Sequence, residues 1–524
     1  MVGERDRALE RKIQEIPKTF TEKLERLQER GNFVCVGLDS DWSKIPGEFK
    51  ELGREEGTFQ FNRAIIDSTA DLVCAYKPNV AFFEYSQEGE RALERTVEYI
   101  HGKYPFVPVL GDAKRGDIGN TNEGYIRALF ERYNFDAVTI YPNMGAEALK
   151  PFLDREDKGI IVVCRTSNPG AGEFQDWPVS VSAVANSNKA EMLELFEITG
   201  KTEIPYYLAM AYRIARHWNG KGNVGLVVGA TYPGELEQVR KVAPDMQILL
   251  PGIGAQGAEV QSTVVAGMDE RTGRIIVNSA RGIIFAEREE GETVGQAARR
   301  EAQKLREAIN FYRINPEGMT DSQKEVADVL LQEGAIKFGA FKLKMHNKNP
   351  TAPLSPIYID LRVLRSSSPD VKLKICRAYL DLMKDLQFDL LADVPTAITP
   401  IVTLLSQITG VPMISPRGDK TYGSGAQIDG DYRTGQTALI IDDSITKGES
   451  KIGSADKLRG NGLNVKDVVV LVDREQGGTK DLIVHDLKLH SAFTISNLLR
   501  YYKRTGRIDQ GLYDETMAYL AKYK

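Results

Sequence analysis

The sequence predicts an α/β protein in which an N-terminal (β/α)8 TIM barrel is followed by a smaller α/β domain. From Gly31 to Ala286, short runs rich in Val, Ile and Leu alternate with longer segments of helical spacing. Runs that are apolar throughout are typical of strands buried on both faces of a parallel sheet. Eight strand–helix units within roughly 250 residues match a (β/α)8 barrel. Beyond this region the pattern restarts with a different spacing.

The eight predicted barrel strands share this apolar composition, and polar residues follow most of them. They are 33–39, 72–79, 106–112, 137–143, 160–166, 224–230, 247–254 and 274–280. Segments between them, such as 57–71 and 122–134, have the spacing of helices. In such barrels the chemistry lies at the carboxyl ends of the strands. The residues that follow the runs are therefore the candidates for function.

The remaining chain predicts a closing helix, a linker and a second domain. Residues 287–312 have the pattern of a helix, and 313–320 contain Pro and Gly without apolar periodicity, as a linker does. We therefore divide the chain into a barrel domain (1–312), the linker (313–320) and a second domain (321–524).

The second domain is predicted to alternate helices and strands. A helix is expected at 321–334, and 417–436 are expected to form a long, polar, glycine-rich functional loop. The predicted strands are a hairpin of 341–344 with 355–362, then 388–395, 411–416, 437–444 and 465–473.

Composition narrows the class of protein. The chain is 42% hydrophobic and 27% charged with a formal net charge of -5, so neither a nucleic acid nor a membrane is expected as partner. No apolar run approaches the ~20 residues of a membrane span, and the charged N-terminus does not resemble a signal peptide. Cys35, Cys74, Cys164 and Cys376 form no CxxC pair, which predicts buried reduced thiols and a cytoplasmic protein. Five scattered histidines predict no metal cluster.

The stretch "DAKRGD" places several charges directly after the third apolar run. In an extended strand Asp112 and Lys114 point to the same side, and a turn at Gly116 carries Asp117 to the next layer. Lys77 ends the preceding strand and could face the same cavity. Alternating ammonium and carboxylate groups keep one another ionised and can stabilise developing negative charge and then donate a proton. The alternative for such a motif is a structural salt-bridge network.

These residues also carry a family resemblance. "VGLD", "YKPNVAFFE", "DAKRGDIGNT", "SNPG", "PGIGAQG" and "NSARGI" occur in an order and spacing that resemble the bacterial form of orotidine 5'-monophosphate decarboxylase. The resemblance covers about residues 30–290. It implies that Lys114 is the proton donor to C6 of the pyrimidine, with Asp112, Asp117 and Lys77 as the other members of the charged network. It implies no cofactor.

The resemblance also implies the binding residues. Asp39 would contact the ribose, Ser167 the pyrimidine ring, and Gln256 with Arg281 the phosphate. In this family the second aspartate of the motif serves the neighbouring subunit. Asp117 and Thr121 therefore imply a homodimer or a higher homo-oligomer.

A second candidate site lies in "ALIIDDSITKGES", residues 438–450. It predicts a buried strand ending in two acidic residues, a short loop and a helix whose first N–H groups suit a phosphate. With "FKLK", "SPIYIDLR", "KTYGSG" and "LVDREQGG", the motif resembles orotate phosphoribosyltransferase of the type I phosphoribosyltransferase fold over about residues 321–500.

This second resemblance implies a binding site for orotate and phosphoribosyl pyrophosphate. Mg2+ would accompany the pyrophosphate without direct protein ligands. The implied binding residues are Asp442 and Asp443 for the ribose hydroxyls, Thr446, Gly448 and Ser450 for the 5'-phosphate, Arg417 and Lys420 on the loop over the pyrophosphate, and Lys344 and Arg474 for orotate.

Several positions depart from the second pattern. Glu449 stands where a small or hydroxyl residue is usual, Pro416 replaces a basic residue, and no lysine occurs near Ala397. Two hypotheses follow for this domain: a transferase that makes the barrel's substrate, or a weakened or inactive module that binds nucleotide or mediates oligomerisation. A third hypothesis, for the barrel, is an enzyme acting on sugar phosphates with the same DxKxxD motif.

Overall fold

The structure, a computed structural model, describes residues 17–230, 232–253, 257–268, 273–342, 351, 353–395, 397–417 and 427–522. The chain divides into two compact units, Met1–Pro316 and Glu317–Lys524. The boundary falls within the segment predicted as a linker, although the preceding helix extends to Ile314.

The first unit is built on an eight-stranded parallel sheet, and the eight predicted barrel strands are confirmed. The strands run β2-β1-β10-β9-β8-β5-β4-β3, and parallel bridges from Tyr76 to Val109 and from Asn79 to Asp112 join β2 to β3. In chain order the strands are β1 (Val34–Leu38), β2 (Val73–Pro78), β3 (Leu110–Arg115), β4 (Ala137–Ile140), β5 (Gly159–Arg165), β6 (Pro178–Ser180), β7 (Glu203–Pro205), β8 (Val224–Val228), β9 (Gln247–Pro251) and β10 (Ile275–Ser279).

Helices surround this sheet, as the periodicity predicts. Every residue of β1, β2, β4, β5, β8 and β10 is buried, which explains why these strands are mainly apolar. The helices are Phe20–Glu29, Gly47–Lys50, Arg54–Thr69, Gln87–Lys103, Gly119–Ile126, Gly145–Ala148, Lys150–Leu153, Gly172–Gln175, Val181–Val184, Lys189–Thr199, Tyr206–His217, Pro233–Val242, Gly257–Gly267, Arg281–Ile284 and Val294–Ile314, with short 3-10 or π segments at Val80–Phe82, Arg127–Arg132 and Pro169–Ala171.

Two features of the first unit differ from the prediction. The closing helix begins at Val294 rather than residue 287, because Thr293 and Gln296 form a capping box there. The antiparallel pair β6 and β7 lies in the long connection between β5 and β8. Strands of only three residues leave no periodic signal in the sequence.

The second unit contains a six-stranded sheet and a separate hairpin. The sheet order is β15-β14-β13-β16-β17-β18, parallel except for β15. The strands are β11 (Ile336–Phe341), β12 (Ser355–Ile359), β13 (Leu390–Asp393), β14 (Met413–Pro416), β15 (Ile428–Asp429), β16 (Ala438–Ile445), β17 (Asp467–Asp473) and β18 (Lys488–Thr494). The helices are Asp321–Gln332, Pro369–Met383, Thr399–Thr409, Glu449–Gly460, Gly478–Val484, Ile495–Arg504 and Gln510–Lys522, and Leu361–Ser366 is a 3-10 helix.

The predicted hairpin exists, but its first strand was assigned to the wrong residues. β11 ends at Phe341, where the predicted strand begins, and it pairs antiparallel with β12. Gly339, at φ 150°, interrupts the pairing between Phe338 and Phe341, which obscures the alternation expected of a strand. β15 and β18 were not predicted, because β15 has two residues and β18 mixes polar with apolar side chains.

All four cysteines are free and buried, as predicted. In the part of the chain that the structure describes, every helix is too short or too polar to cross a membrane.

Candidate active site

Three charged side chains form a continuous chain of ion pairs at the carboxyl ends of β2 and β3. The Nζ atom of Lys77 lies 2.9 Å from Oδ2 of Asp112, and Nζ of Lys114 lies 2.5 Å from Oδ1 of the same carboxylate. Lys77 is only 3% exposed, whereas 42% of the Lys114 side chain is exposed. The buried pair therefore holds Asp112 in place and leaves the second ammonium facing the opening of the barrel.

The backbone of β3 places Lys114 differently from the simple alternation that the sequence suggests. The register with β4 shifts between Gly111 and Arg115, and Lys114 has a left-handed φ of 48°. The bulge, rather than an extended strand, brings Lys114 to the side of Asp112. Gly116 turns the chain as predicted, at φ 153°, where a side chain would lie 2.8 Å from the carbonyl oxygen of Tyr141.

Thr139, on β4, fixes this arrangement and was not among the predicted site residues. Its hydroxyl donates to Oδ1 of Asp112 at 3.0 Å and accepts from the backbone N–H of Lys114 at 3.0 Å. A threonine inside a strand is ordinary, so the sequence carries no signal for this role.

The charges shift one another's pKa values in the direction that keeps them ionised. Burial acts to raise the pKa of Asp112, but the ammonium groups of Lys77 and Lys114 outweigh it and hold that pKa far below its ordinary value. Burial acts to lower the pKa of Lys77, but Asp112 and Asp39 outweigh it and raise that pKa. The site thus keeps a fixed negative charge between two cations.

Arg115, the fourth charge of "DAKRGD", is engaged elsewhere. Its Nη2 atom donates to both carboxylate oxygens of Glu84, at 2.7 and 2.8 Å, and its ring contact is Tyr125. This ion pair joins the end of β3 to the segment that follows β2. For Arg115, therefore, the alternative of a structural salt bridge is correct.

Asp39 directly follows β1, at the carboxyl end of the strand. Its Oδ1 atom is buried without a hydrogen-bond partner among the described residues. Burial raises the pKa of Asp39, although Lys77 opposes the shift. A buried acceptor without a donor is costly, and a ligand hydroxyl would supply the donor.

Ser167 lies two residues beyond β5, pressed against the segment after β8. A side chain at Gly229 would come within 2.7 Å of Cβ and 2.9 Å of N of Ser167. The absence of a side chain at Gly229 therefore permits this close approach.

The predicted phosphate residues are described only in part. Arg281 is exposed and begins the short helix Arg281–Ile284 after β10, within electrostatic range of Asp39. Gln256 lies outside the described residues.

Asp117 and Thr121 are not members of the ion-pair chain that Lys77, Asp112 and Lys114 form among the described residues. The Oδ1 atom of Asp117 accepts from the N–H of Ile118, and its own N–H donates to Asn122. Thr121 is exposed on the helix Gly119–Ile126. Among the described residues, Lys114 forms its ion pair with Asp112 and not with Asp117.

In the second unit, Asp442, the first of the two acidic residues of β16, is paired with a buried lysine. The Asp442 carboxylate forms an ion pair with Lys451, whose Nζ also donates to the carbonyl oxygen of Ser444 at 2.5 Å. Both residues are 5% exposed. Burial raises the pKa of Asp442 to about 6, although Lys451 opposes the shift. Lys451 was not predicted as a site residue.

Asp443 and Arg474 lie beside this pair. Asp443 is half-buried and accepts a hydrogen bond from the Ser444 hydroxyl at 3.2 Å. Arg474 donates to the carbonyl oxygen of Ile359 at 2.8 Å, while its Nε is buried without a partner among the residues described. That orphaned donor suits an anionic ligand.

The predicted phosphate loop joins β16 to the helix Glu449–Gly460. Gly448 caps the helix at φ 78°, with Thr446 and Ser450 exposed on either side. Glu449 is exposed in the first turn. Of the remaining predicted residues, Arg417 forms an ion pair with Asp429. Lys344 and Lys420 lie outside the described residues.

No metal-ligating cluster is formed by three or more His, Cys, Asp or Glu side chains among the described residues.

Comparison with protein families identifies the first unit. Residues 32–296 match the model of the "Orotidine 5'-phosphate decarboxylase / HUMPS family". A protein named orotidine 5'-phosphate decarboxylase from Cupriavidus metallidurans is 44% identical over 296 residues, which are 56% of this chain and 99% of that protein. The protein of the same name from Azoarcus sp. is 42% identical over 286 residues, 55% of this chain and 96% of its own length.

Two solved structures are similar to parts of this chain that include the second unit. Leishmania donovani UMP synthase is 32% identical, covering 97% of this chain and all of its own, with a TM-score of 0.46. Orotate phosphoribosyltransferase from Aeropyrum pernix is 26% identical over 35% of this chain and 99% of its own, with a TM-score of 0.31.

Proposed function

The chain belongs to the orotidine 5'-phosphate decarboxylase / HUMPS family, and on that premise we propose that its barrel converts orotidine 5'-monophosphate to UMP and CO2. The observation that carries the proposal is the ion-pair chain of Lys77, Asp112 and Lys114 at the barrel mouth. A fixed carboxylate between two cations suits a reaction that develops negative charge on carbon.

The proposed reaction uses these groups in sequence. The bond between C6 of the pyrimidine and its carboxylate breaks, CO2 leaves, and the electron pair remains on C6. The Lys114 ammonium stabilises that charge and then transfers a proton to C6, so the product is UMP. No cofactor takes part. Asp39 binds a ribose hydroxyl through its orphaned oxygen, Ser167 binds the ring, and Gln256 with Arg281 binds the phosphate. Those remote contacts supply binding energy that positions the ring.

The proposed enzyme is a homodimer or a higher homo-oligomer in which Asp117 and Thr121 complete the partner's site. The support is that Lys114 pairs with Asp112 and not with Asp117 among the described residues. Large apolar side chains are also exposed after three neighbouring strands: Tyr85 after β2, Ile118 after β3, and Tyr141 with Met144 after β4. An exposed apolar surface beside the barrel mouth is typical of a protein interface. The four free, buried thiols support a cytoplasmic location.

The second unit, in the same proposal, forms orotidine 5'-monophosphate from orotate and phosphoribosyl pyrophosphate. Its support is the loop from Thr446 to Ser450 at a helix N-terminus and the orphaned Nε of Arg474. Mg2+ would arrive with the pyrophosphate. Lys451 already holds Asp442, so Asp443 is the carboxylate that would face the ribose hydroxyls and the ion.

A specific observation favours the alternative for this unit, a nucleotide-binding module without turnover. Glu449 lies in the first turn of the phosphate loop helix, where its carboxylate would repel a phosphate.

Two assays on the intact chain test these proposals separately. Release of CO2 from orotidine 5'-monophosphate tests the barrel, and its absence would return the barrel to the sugar-phosphate hypothesis. Release of pyrophosphate from orotate and phosphoribosyl pyrophosphate, measured in a Lys114→Ala background so that the intermediate accumulates, tests the second unit. Binding of phosphoribosyl pyrophosphate without pyrophosphate release would support the non-catalytic module instead.

A further inference from the structure

Arg165, the last residue of β5, is an arginine buried at the mouth of the barrel. It is 4% exposed and lies two residues before Ser167. A buried guanidinium is costly unless it is fully paired, so its partners indicate its role.

The guanidinium is held by a forked ion pair and two rings. Nε donates to Oε2 of Glu235 at 2.5 Å and Nη2 donates to Oε1 at 3.1 Å. The rings of Tyr207 and Tyr232 lie 5.2 and 5.7 Å from its central carbon. Forked, charge-assisted hydrogen bonds and aromatic contacts fix the plane of a guanidinium. Arg165 is therefore a rigid anchor tied to the helix that follows β8.

The same guanidinium also holds the loop that carries Ser167. Nη1 donates to Oε1 of Gln175 at 3.2 Å, and Nη2 contacts Asp176 at 3.1 Å. The Oε1 atom of Gln175 accepts a second hydrogen bond, at 3.0 Å, from the backbone N–H of Thr166. Residues at both ends of the loop 166–176 are thus bound, directly or through one oxygen atom, to a single side chain.

We propose that Arg165 is a positioning residue for recognition of the pyrimidine ring, acting through Gln175 and Thr166 to hold Ser167 against Gly229. The inference rests on the proposed function, in which Ser167 contacts the ring and other residues bind the ribose and phosphate. It follows that Arg165, with Gln175 and Thr166, governs affinity for the base. Affinity for the ribose 5-phosphate part depends on the other residues proposed to bind the ribose and phosphate.

Equilibrium binding of two probes to the intact chain tests this inference. UMP carries the ring, whereas ribose 5-phosphate lacks it. Gln175→Ala removes the shared oxygen but leaves the buried pair of Arg165 and Glu235 intact, so it perturbs folding least. Gln175→Glu keeps an acceptor oxygen at that position and is the rescue variant. Arg165→Lys keeps the charge but loses the fork.

The expected result is specific to the base. Gln175→Ala and Arg165→Lys raise the Kd for UMP about tenfold, the loss of one hydrogen bond to the ring. The Kd for ribose 5-phosphate stays within about twofold, and Gln175→Glu restores UMP binding. Arg216→Met is the control, because Arg216 forms an exposed pair with Glu194 in the same long connection. It should leave both constants unchanged.

Three results would overturn the inference. Equal binding of UMP by the wild-type chain and the variants would show that Arg165 does not position the ring contact. Equal weakening of both probes would show a general structural role. Failure of the wild-type chain to bind UMP or to release CO2 would overturn the proposed function and the inference together, whereas the first two results leave the proposed function standing.

Discussion

The ammonium of Lys77 donates a 2.9 Å hydrogen bond to Oδ2 of Asp112, and burial removes most of both side chains from water. Removing either member of a buried pair leaves the other charge uncompensated. The pair is therefore the fixed part of the site, and Lys114, on the other carboxylate oxygen, is the exposed member.

Lys114→Ala should abolish the proposed proton donor. We expect kcat for CO2 release to fall by about 10²–10⁴-fold, the usual contribution of a positioned acid, while thermal unfolding changes little because the Lys114 side chain is 42% exposed. Lys150→Ala, which removes a surface lysine paired with Asp154, is the control. Near-normal turnover in the Lys114 variant would refute its role as the acid.

Mixing two inactive variants tests whether Asp117 serves the partner subunit. In a heterodimer of Lys114→Ala and Asp117→Asn chains, one site receives Lys114 from one chain and Asp117 from the other. We expect CO2 release to reappear on mixing, measured after subunit exchange. If Asp117 acts within its own chain, both sites of the heterodimer remain defective and the mixture stays inactive.

Asp136→Asn should destabilise the first unit. Asp136 lies at the amino end of β4, opposite the end that carries the candidate site. The Asp136 carboxylate, directly before β4, contacts Nζ of Lys23 at 2.7 Å and Nε2 of His101 at 2.9 Å. Leaving buried Lys23 unpaired should cost about 3 kcal/mol in the free energy of unfolding. Asp157→Asn, at a half-exposed carboxylate 3.5 Å from Arg155, should cost less than about 1 kcal/mol.

The stabilisation that Asp136 contributes should depend on pH. Burial acts to raise the pKa of Asp136, but the hydrogen bond from His101 and the charge of Lys23 outweigh it and lower that pKa to about 2. Because the folded-state pKa is depressed, the stabilisation is present above the ordinary value of 3.8 and is lost as pH falls toward 2. The stability difference between wild type and Asp136→Asn, measured by denaturant unfolding, should shrink over that range. A constant difference would contradict the ion-pair account.

Lys451→Met tests the internal pair of the second unit. Burial raises the pKa of Asp442, and Lys451 is the group that opposes the shift. Its removal should raise that pKa further, so that the carboxyl group protonates closer to neutral pH. Because Asp442 accepts a 2.8 Å hydrogen bond from the backbone N–H of Asp443, we expect the acidic limb of the pyrophosphate-release profile to move to higher pH. Lys466→Met, at an exposed lysine, is the control, and an unmoved profile in Lys451→Met would contradict the coupling.

The barrel could be predicted because its signal is local. Eight apolar runs mark strands that are buried on both faces, and strand-end charges such as Lys77 and Asp112 follow them directly. The hairpin of the second unit was misplaced because Gly339 breaks the pairing. Gln256, Lys344 and Lys420 remain predictions, as do the division at 313–320 and the roles of the site residues.

The sequence by itself determined the order of the strands along the chain and the charged residues that end them, because burial on both faces demands apolar runs and allows charge at their ends. Only the tertiary structure decided which partner each charge takes. Along residues 112–115 of β3, Asp112 forms an ion pair with Lys114, whereas Arg115 forms an ion pair with Glu84. In the second unit Lys451 pairs with Asp442. The reason is physical: a strand pattern fixes the face on which a side chain lies, whereas bulges, left-handed residues and neighbouring strands bring particular charges within hydrogen-bonding distance.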